Sequence, residues 1–68
     1  MTPSITPASA RIERLPAVLA RVGLKKSSLY AAVAAGTFPR PIALTAHARG
    51  WVADEVDIWI AARVAARG

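Results

Sequence analysis

The sequence contains no cysteine and a single histidine, His47. Without cysteine there is neither a disulfide framework nor a thiolate for metal or redox chemistry. One histidine leaves no local His/Asp/Glu cluster with ligand spacing, so we expect no metal and no cofactor. A protein without disulfides is most simply interpreted as cytoplasmic.

Long apolar runs are also missing, because no stretch approaches the roughly 20 residues that a membrane-spanning helix needs. The opening MTPSITPASA lacks a basic start and a long apolar middle, so it does not resemble a secretion signal. We expect residues 1–10 to form a disordered arm and residues 11–68 to form one small domain. A 68-residue chain has little room for a deep cleft, and no small-molecule substrate is expected.

Catalytic arrangements are scarce in this sequence. Ser27 and Ser28 have no neighbouring base, Asp54 and Glu55 are adjacent in sequence rather than facing each other, and no glycine-rich phosphate loop is present. We therefore expect that the chain is not an enzyme.

Acidic residues are absent from the middle of the chain. The net charge is +5, and residues 23–50 carry Lys25, Lys26, Arg40 and Arg49 with no Asp or Glu. A surface of one sign repels itself unless a polyanion approaches, which favours nucleic acid as the partner. The alternative is that these cations only keep an alanine-rich chain in solution.

What the sequence does contain are helix signals. Residues 14–23 (RLPAVLARVG) have apolar residues at helical spacing and end at Gly23. A second helix is predicted from Lys26 to Ala35, ending at Gly36. Two short helices joined by a glycine-containing turn are typical of a helix-turn-helix, although this spacing also arises by chance.

Two lysines stand at the entrance of the second helix. The first turn of a helix has unpaired N–H groups and the positive end of the dipole, so each cation there costs roughly 0.3–1 kcal/mol. A phosphate bound at this point would be stabilised by the N–H groups, the dipole and both lysines together. A lysine pair can also be an ordinary solvated surface.

A hairpin is predicted next, because Pro39 and Pro41 exclude a helix. We expect Ile42, Leu44 and Trp51 to pack on one side of it. The turn is predicted at residues 45–48, with polar positions that would form the tip and flanks of a wing: Arg40, Thr45, His47 and Arg49. His47 is interpreted either as a solvent-exposed turn residue or as an imidazole near phosphate.

A third helix is predicted from Asp54 to Ala66, with acids at its start and arginines at its end. Its expected core face is Val56, Trp59, Ile60 and Val64. A second apolar side, residues 58, 61, 62 and 65, is either exposed surface or a surface for self-association. The predicted fold is mainly α with a small β-hairpin, a winged helix-turn-helix of three helices and a two-stranded wing.

The ordered series of motifs resembles the AlpA-type phage regulators, small winged helix-turn-helix proteins related to phage excisionases and MerR-like DNA-binding domains. The resemblance spans residues 14–60 and is carried by Arg14, Leu15, Gly23, Leu24, Ser27, Ser28, Leu29, Tyr30, Gly36, Phe38, Pro39, Pro41, Trp51, Glu55, Val56 and Trp59.

The resemblance implies a DNA-binding regulator of phage or mobile-element type, whose second helix reads the major groove and whose wing lies along the backbone or minor groove. By position, the second-helix group would be Lys25, Lys26, Ser27, Ser28 and Tyr30, and the wing group Arg40, Thr45, His47 and Arg49. Tyr30 could instead anchor the helix to the wing.

The sequence departs from the family pattern at three positions. Lys25 stands where the family often has a capping serine, so the helix start could shift to Ser27. Gly50 would introduce a bulge or loosen the second wing strand, and Ala53 is a poor cap for the third helix.

Three functions follow from these features. The first is a sequence-specific regulator of transcription that binds double-stranded DNA, with pairing of copies on adjacent half-sites. The second is an excisionase that bends or bridges DNA for an integrase. The third, from another class, is a protein-interaction module such as an antitoxin-like partner, which would use the alanine-rich third helix.

Overall fold

A computed structural model describes residues 11–67; the expected disordered arm over residues 1–10 lies outside them. In chain order, the described residues form β1 (Ile12–Glu13), α1 (Leu15–Val22), α2 (Lys26–Ala35), β2 (Ile42–Ala43), β3 (Arg49–Val52) and α3 (Ala53–Ala66). The fold is mainly helical with a hairpin, as the sequence predicted for a winged helix-turn-helix. The division of the chain at residue 10 stays a prediction.

The turn between α1 and α2 follows from Gly23. Its φ of 72° lies in the left-handed region, and its N–H donates to the carbonyl of Leu19 at 2.9 Å, which closes α1. Leu24 then packs against the core cluster. The predicted helix-turn-helix connection is confirmed.

Helix α2 has the predicted bounds. Lys25 is its N-cap residue, with extended backbone and no side-chain cap, so the start does not shift to Ser27. The helix ends at Gly36, whose φ is 80°, and the N–H of Thr37 donates to the carbonyl of Ala32 at 2.9 Å.

The sheet has one strand more than the predicted two-stranded wing. β3 lies in the centre, with β1 and β2 antiparallel on either side, and the paired residues include Ile12 with Val52 and Ile42 with Gly50. Sequence analysis missed β1 because two residues are too short to show the alternation that identifies a strand.

The expected packing of the hairpin was wrong. Trp51 is fully buried, whereas Ile42 and Leu44 are 41% and 40% exposed. Ile42 pairs with Gly50, and successive residues of a strand point to opposite faces, so Trp51 lies on the other face of the sheet. The wing therefore carries a small apolar patch on its outer side.

Gly50 neither introduces a bulge nor breaks the strand, because β3 continues in regular register through it. A Cβ at this position would overlap the Cγ2 methyl of Ile12 and would lie 3.2 Å from both the Glu13 carbonyl oxygen and the Cδ1 methyl of Leu44. Glycine is needed here because its neighbours close over the backbone.

Helix α3 follows β3 without a loop and begins one residue before the predicted start. Val52 is the N-cap residue, so Ala53 is not the cap; the N–H of Ala53 donates to the carbonyl of Arg11 at 2.8 Å. Val64, expected on the core face, is 53% exposed. The reason is length, since a 14-residue helix extends beyond the small body it packs against.

The core contains one residue or more from each helix, from β3 and from the segment after α2. Its fully or nearly fully buried side chains are Val18, Leu29, Phe38, Trp51 and Val56. Among residues 11–67, no helix is long and apolar enough to cross a membrane.

Two indole groups fix the segment between α2 and β2. Trp51 Nε1 donates to the carbonyl of Pro39 at 2.9 Å, and Trp59 Nε1 donates to the carbonyl of Thr37 at 2.7 Å. The ring of Phe38 meets Trp59 edge-on, with ring centroids 4.9 Å apart. The wing is thereby attached to the helices at its base.

Candidate nucleic-acid interface

The first turn of α2 is exposed and uncapped. Lys25, Lys26, Ser27 and Ser28 are all exposed, and no side chain caps the helix start. The first backbone bond of the turn runs from the N–H of Leu29 to the carbonyl of Lys25 at 2.9 Å. The N–H groups of the three residues before Leu29 are the unpaired donors of a helix N-terminus.

Charge is distributed unequally over the surface. Arg21 takes two carboxylates: its Nε lies 3.4 Å from Glu13 Oε1, and its Nη1 lies 2.8 Å from Asp57 Oδ1. Within the described residues, these are the ion pairs that form. Every Asp and Glu of the chain lies in this range, so the four cations of residues 23–50 have no side-chain carboxylate partner there.

The tip of the wing is a tight turn. The N–H groups of Leu44 and Thr45 donate to the carbonyl of Ala48 at 2.7 and 3.2 Å. The Thr45 hydroxyl accepts from the N–H of His47 at 3.2 Å, so it also shapes the turn. The imidazole of His47 is exposed.

Helix α2 and the wing meet through aromatic rings. The ring of Tyr30 lies against Trp51 with centroids 6.2 Å apart and a tilt of 56°. This is the contact expected if Tyr30 anchors the helix to the wing, and the side chain is still 37% exposed. Arg49 is two residues before Trp51 and therefore points to the same face of β3.

Arg40 is the member of the predicted set that is found beside α3. It lines an open apolar groove between the segment before β2 and α3, together with Glu55, Ile58 and Trp59. This groove could not be predicted from sequence spacing, because its two walls are separated by a dozen residues or more.

Arg14 is a residue that sequence analysis named only as part of the resemblance. It is exposed, and its Nε donates to the carbonyl of Arg49 at 3.0 Å. The two residues are 35 positions apart, so no local pattern could have indicated the contact.

The family model described as prophage CP4-57 regulatory protein (AlpA) matches residues 11–64. The chain belongs to the AlpA family. A similar relative is the uncharacterized protein ORF88 of Enterobacteria phage P4, which is 35% identical over 65 residues, or 96% of this chain and 72% of that protein.

The resemblance inferred from the sequence is thereby confirmed. AlpA proteins are a phage regulatory and DNA-binding family, and an enzymatic activity is not known for them. Among residues 11–67, no group of three or more histidine and carboxylate side chains could hold a metal ion.

Proposed function

We propose that this AlpA-family chain is a sequence-specific regulator of transcription that binds double-stranded DNA in the cytoplasm. The observation that carries the proposal is the exposed, uncapped start of α2 with two adjacent lysines and no carboxylate partner among the described residues. The two lysines interact unfavourably with the positive end of the helix dipole, and a bound anion would offset that cost to folding.

Phosphate contacts would set the register of the protein on the duplex. Lys25 and Lys26 lie at the unpaired N–H groups of α2. Arg49, the first residue of β3, would add a further positive charge. Phosphate contacts supply affinity that does not depend on sequence and that falls with salt. Arg40, which lines the groove beside α3, would make a further phosphate contact.

Base reading would come from the same turn of α2. Ser27 and Ser28 are short, exposed and have no side-chain hydrogen bond within residues 11–67, so both are free to bond base edges in the major groove. Tyr30 would act mainly as the anchor to Trp51 and meet the DNA with its exposed edge.

The wing would lie along the neighbouring backbone or minor groove. His47 and Thr45 occupy its tip, where a tight turn keeps the projection short. An arginine beside a narrow minor groove is attracted by its negative potential, which fits Arg49 at the point where β3 leaves the turn of the wing.

A single domain of this size makes modest contact with DNA, so we infer that two or more copies bind adjacent half-sites. Residues 61–66 of α3 are exposed and Ile58 is 69% exposed, which favours contact between copies. The excisionase alternative uses the same DNA surface and differs by bending the duplex. Circular-permutation gel shifts on the bound site separate the two functions.

The test is a footprint on the DNA that flanks the encoding gene. Protection of a defined stretch, with length equal to one or two half-sites, supports the proposal and reports the stoichiometry. Failure to retard any duplex at low salt contradicts it and favours the protein-interaction module.

A further inference from the structure

Arg14 joins three elements at the junction between β1 and α1. Backbone pairing of β1 with β3 stops at Glu13, because the chain turns into α1 at the next residue. Arg14 continues the contact with its side chain, since its Nε donates to the Arg49 carbonyl at 3.0 Å. The guanidinium is therefore held against the first residue of β3, where the strand leaves the turn of the wing.

This hydrogen bond leaves the charge of Arg14 uncompensated. The acceptor is a neutral carbonyl, and the carboxylate of the adjacent Glu13 lies with Arg21 instead, as does that of Asp57. Neither Arg14 nor Arg49 has a carboxylate within 4.0 Å among residues 11–67. The Arg14 side chain is thus tied to the backbone of a second arginine, and neither charge has a carboxylate partner among residues 11–67.

We propose that Arg14 binds one DNA phosphate at the junction of α1 and the wing, with its guanidinium oriented by the backbone carbonyl of Arg49. Among residues 11–67, Arg14 is anchored through Nε alone, which leaves both terminal Nη groups to donate to phosphate oxygens. Because one bond already orients the planar guanidinium, less rotamer freedom is lost when phosphate binds. The inference rests on the proposed DNA binding and adds a contact to it.

The competing explanation is that Arg14 only holds the wing in place. Arg14→Gln separates the two, because the amide can still donate to the Arg49 carbonyl while the charge is lost. Arg67→Gln is the matched control, since it removes an exposed arginine at the far end of α3. Arg14→Lys keeps the charge without the planar fork.

The measurement is fluorescence anisotropy of a labelled 30-base-pair duplex of random sequence, titrated with the full chain at several KCl concentrations. For Arg14→Gln we expect binding weaker by roughly threefold to tenfold and a salt slope smaller by about one counterion. Arg67→Gln and Arg14→Lys should keep the wild-type slope. A wild-type slope for Arg14→Gln overturns the inference.

A second measurement uses the wild-type chain, so it does not depend on a variant folding. In ¹H–¹⁵N spectra of the arginine side chains, the Nη signals of Arg14 should shift or sharpen when the same duplex is added, while those of Arg67 stay unchanged. Unchanged Arg14 signals at saturating duplex also overturn the inference.

The two proposals fail in different ways. If the wild-type chain binds no duplex at 25 mM KCl, DNA binding itself is wrong. If the wild type binds and Lys25→Ala loses about one counterion while Arg14→Gln does not, the phosphate site at Arg14 alone is wrong.

Discussion

Two regions of the molecule treat their charges in opposite ways. In the region where β1, α1 and α3 meet, Arg21 forms ion pairs with both Glu13 and Asp57. At the start of α2 and along the wing, lysines and arginines stand exposed without a carboxylate partner in the described residues. The chain has only four acidic residues against nine lysines and arginines, and none of the four lies in residues 23–50. The ion pairs of the first region stabilise the fold, and the proposed DNA contacts belong to the second.

The largest effect should come from breaking the core beneath both regions. Trp51→Ala removes a fully buried ring that contacts Tyr30 and donates to Pro39. We expect a loss of about 3–5 kcal/mol in unfolding free energy, enough to unfold a domain this small. Urea denaturation followed by circular dichroism checks it. A loss below about 1 kcal/mol means that Trp51 is not central; Trp51→Phe serves as the control.

The close approach at Gly50 gives the next effect. Gly50→Ala should cost about 1–3 kcal/mol, because the added methyl meets Ile12 and the Glu13 carbonyl. The same denaturation measurement applies. Adding Ile12→Ala should recover part of the loss, since it removes the side chain in the way; equal stability of the single and double variants contradicts the proposed clash.

Arg21→Ala tests the ion-paired region where β1, α1 and α3 meet. Glu13 Oε1 is buried and lacks a hydrogen bond, so removing Arg21 leaves its charge without the nearby cation. We expect a loss of about 1–2 kcal/mol, discounted because both partners are partly exposed. Adding Glu13→Gln should reduce that loss. If Arg21→Ala instead weakens DNA binding at full stability, Arg21 belongs to the ligand region.

Lys25→Ser should raise the stability of the fold and weaken DNA binding, so its two effects are opposite. A serine at the N-cap position can accept from an N–H of the first turn, so stability should rise by about 0.5–1 kcal/mol. DNA binding should weaken and lose about one counterion from its salt slope. Thermal denaturation and anisotropy on one preparation check both; a more stable variant with unchanged salt slope contradicts the phosphate role.

The smallest effect is expected from Ser28→Ala. If Ser28 meets a base edge, the variant should change the preference among DNA sites more than the overall affinity. Selection from a randomised duplex pool measures this, with Ala31→Ser on the same exposed face as the control. Equal losses on specific and random DNA count against base reading.

The helices were predictable because their stop signals are local: Gly23 and Gly36 both take the left-handed conformation that ends a helix. Long-range features were not. β1 pairs with a strand about 40 residues later, and Arg14 contacts Arg49, which is 35 residues away in the sequence.

The wrong predictions of which side chains face the core have a similar origin. The side of Ile42 depends on pairing with Gly50, and the exposure of Val64 depends on where the core ends. The spacing of apolar residues predicts neither the face on which Ile42 lies nor the exposure of Val64. The charged residues of the candidate interface were predicted more readily, because a segment without acids is visible in the sequence itself.

The most direct measurement is the salt dependence of wild-type binding to duplex DNA. We expect log Kobs to fall linearly with log salt, with a slope between about −3 and −5 for the four or five cations assigned to phosphates. A flat dependence, or no binding at 25 mM KCl, contradicts the proposal that the start of α2 and the wing bind DNA.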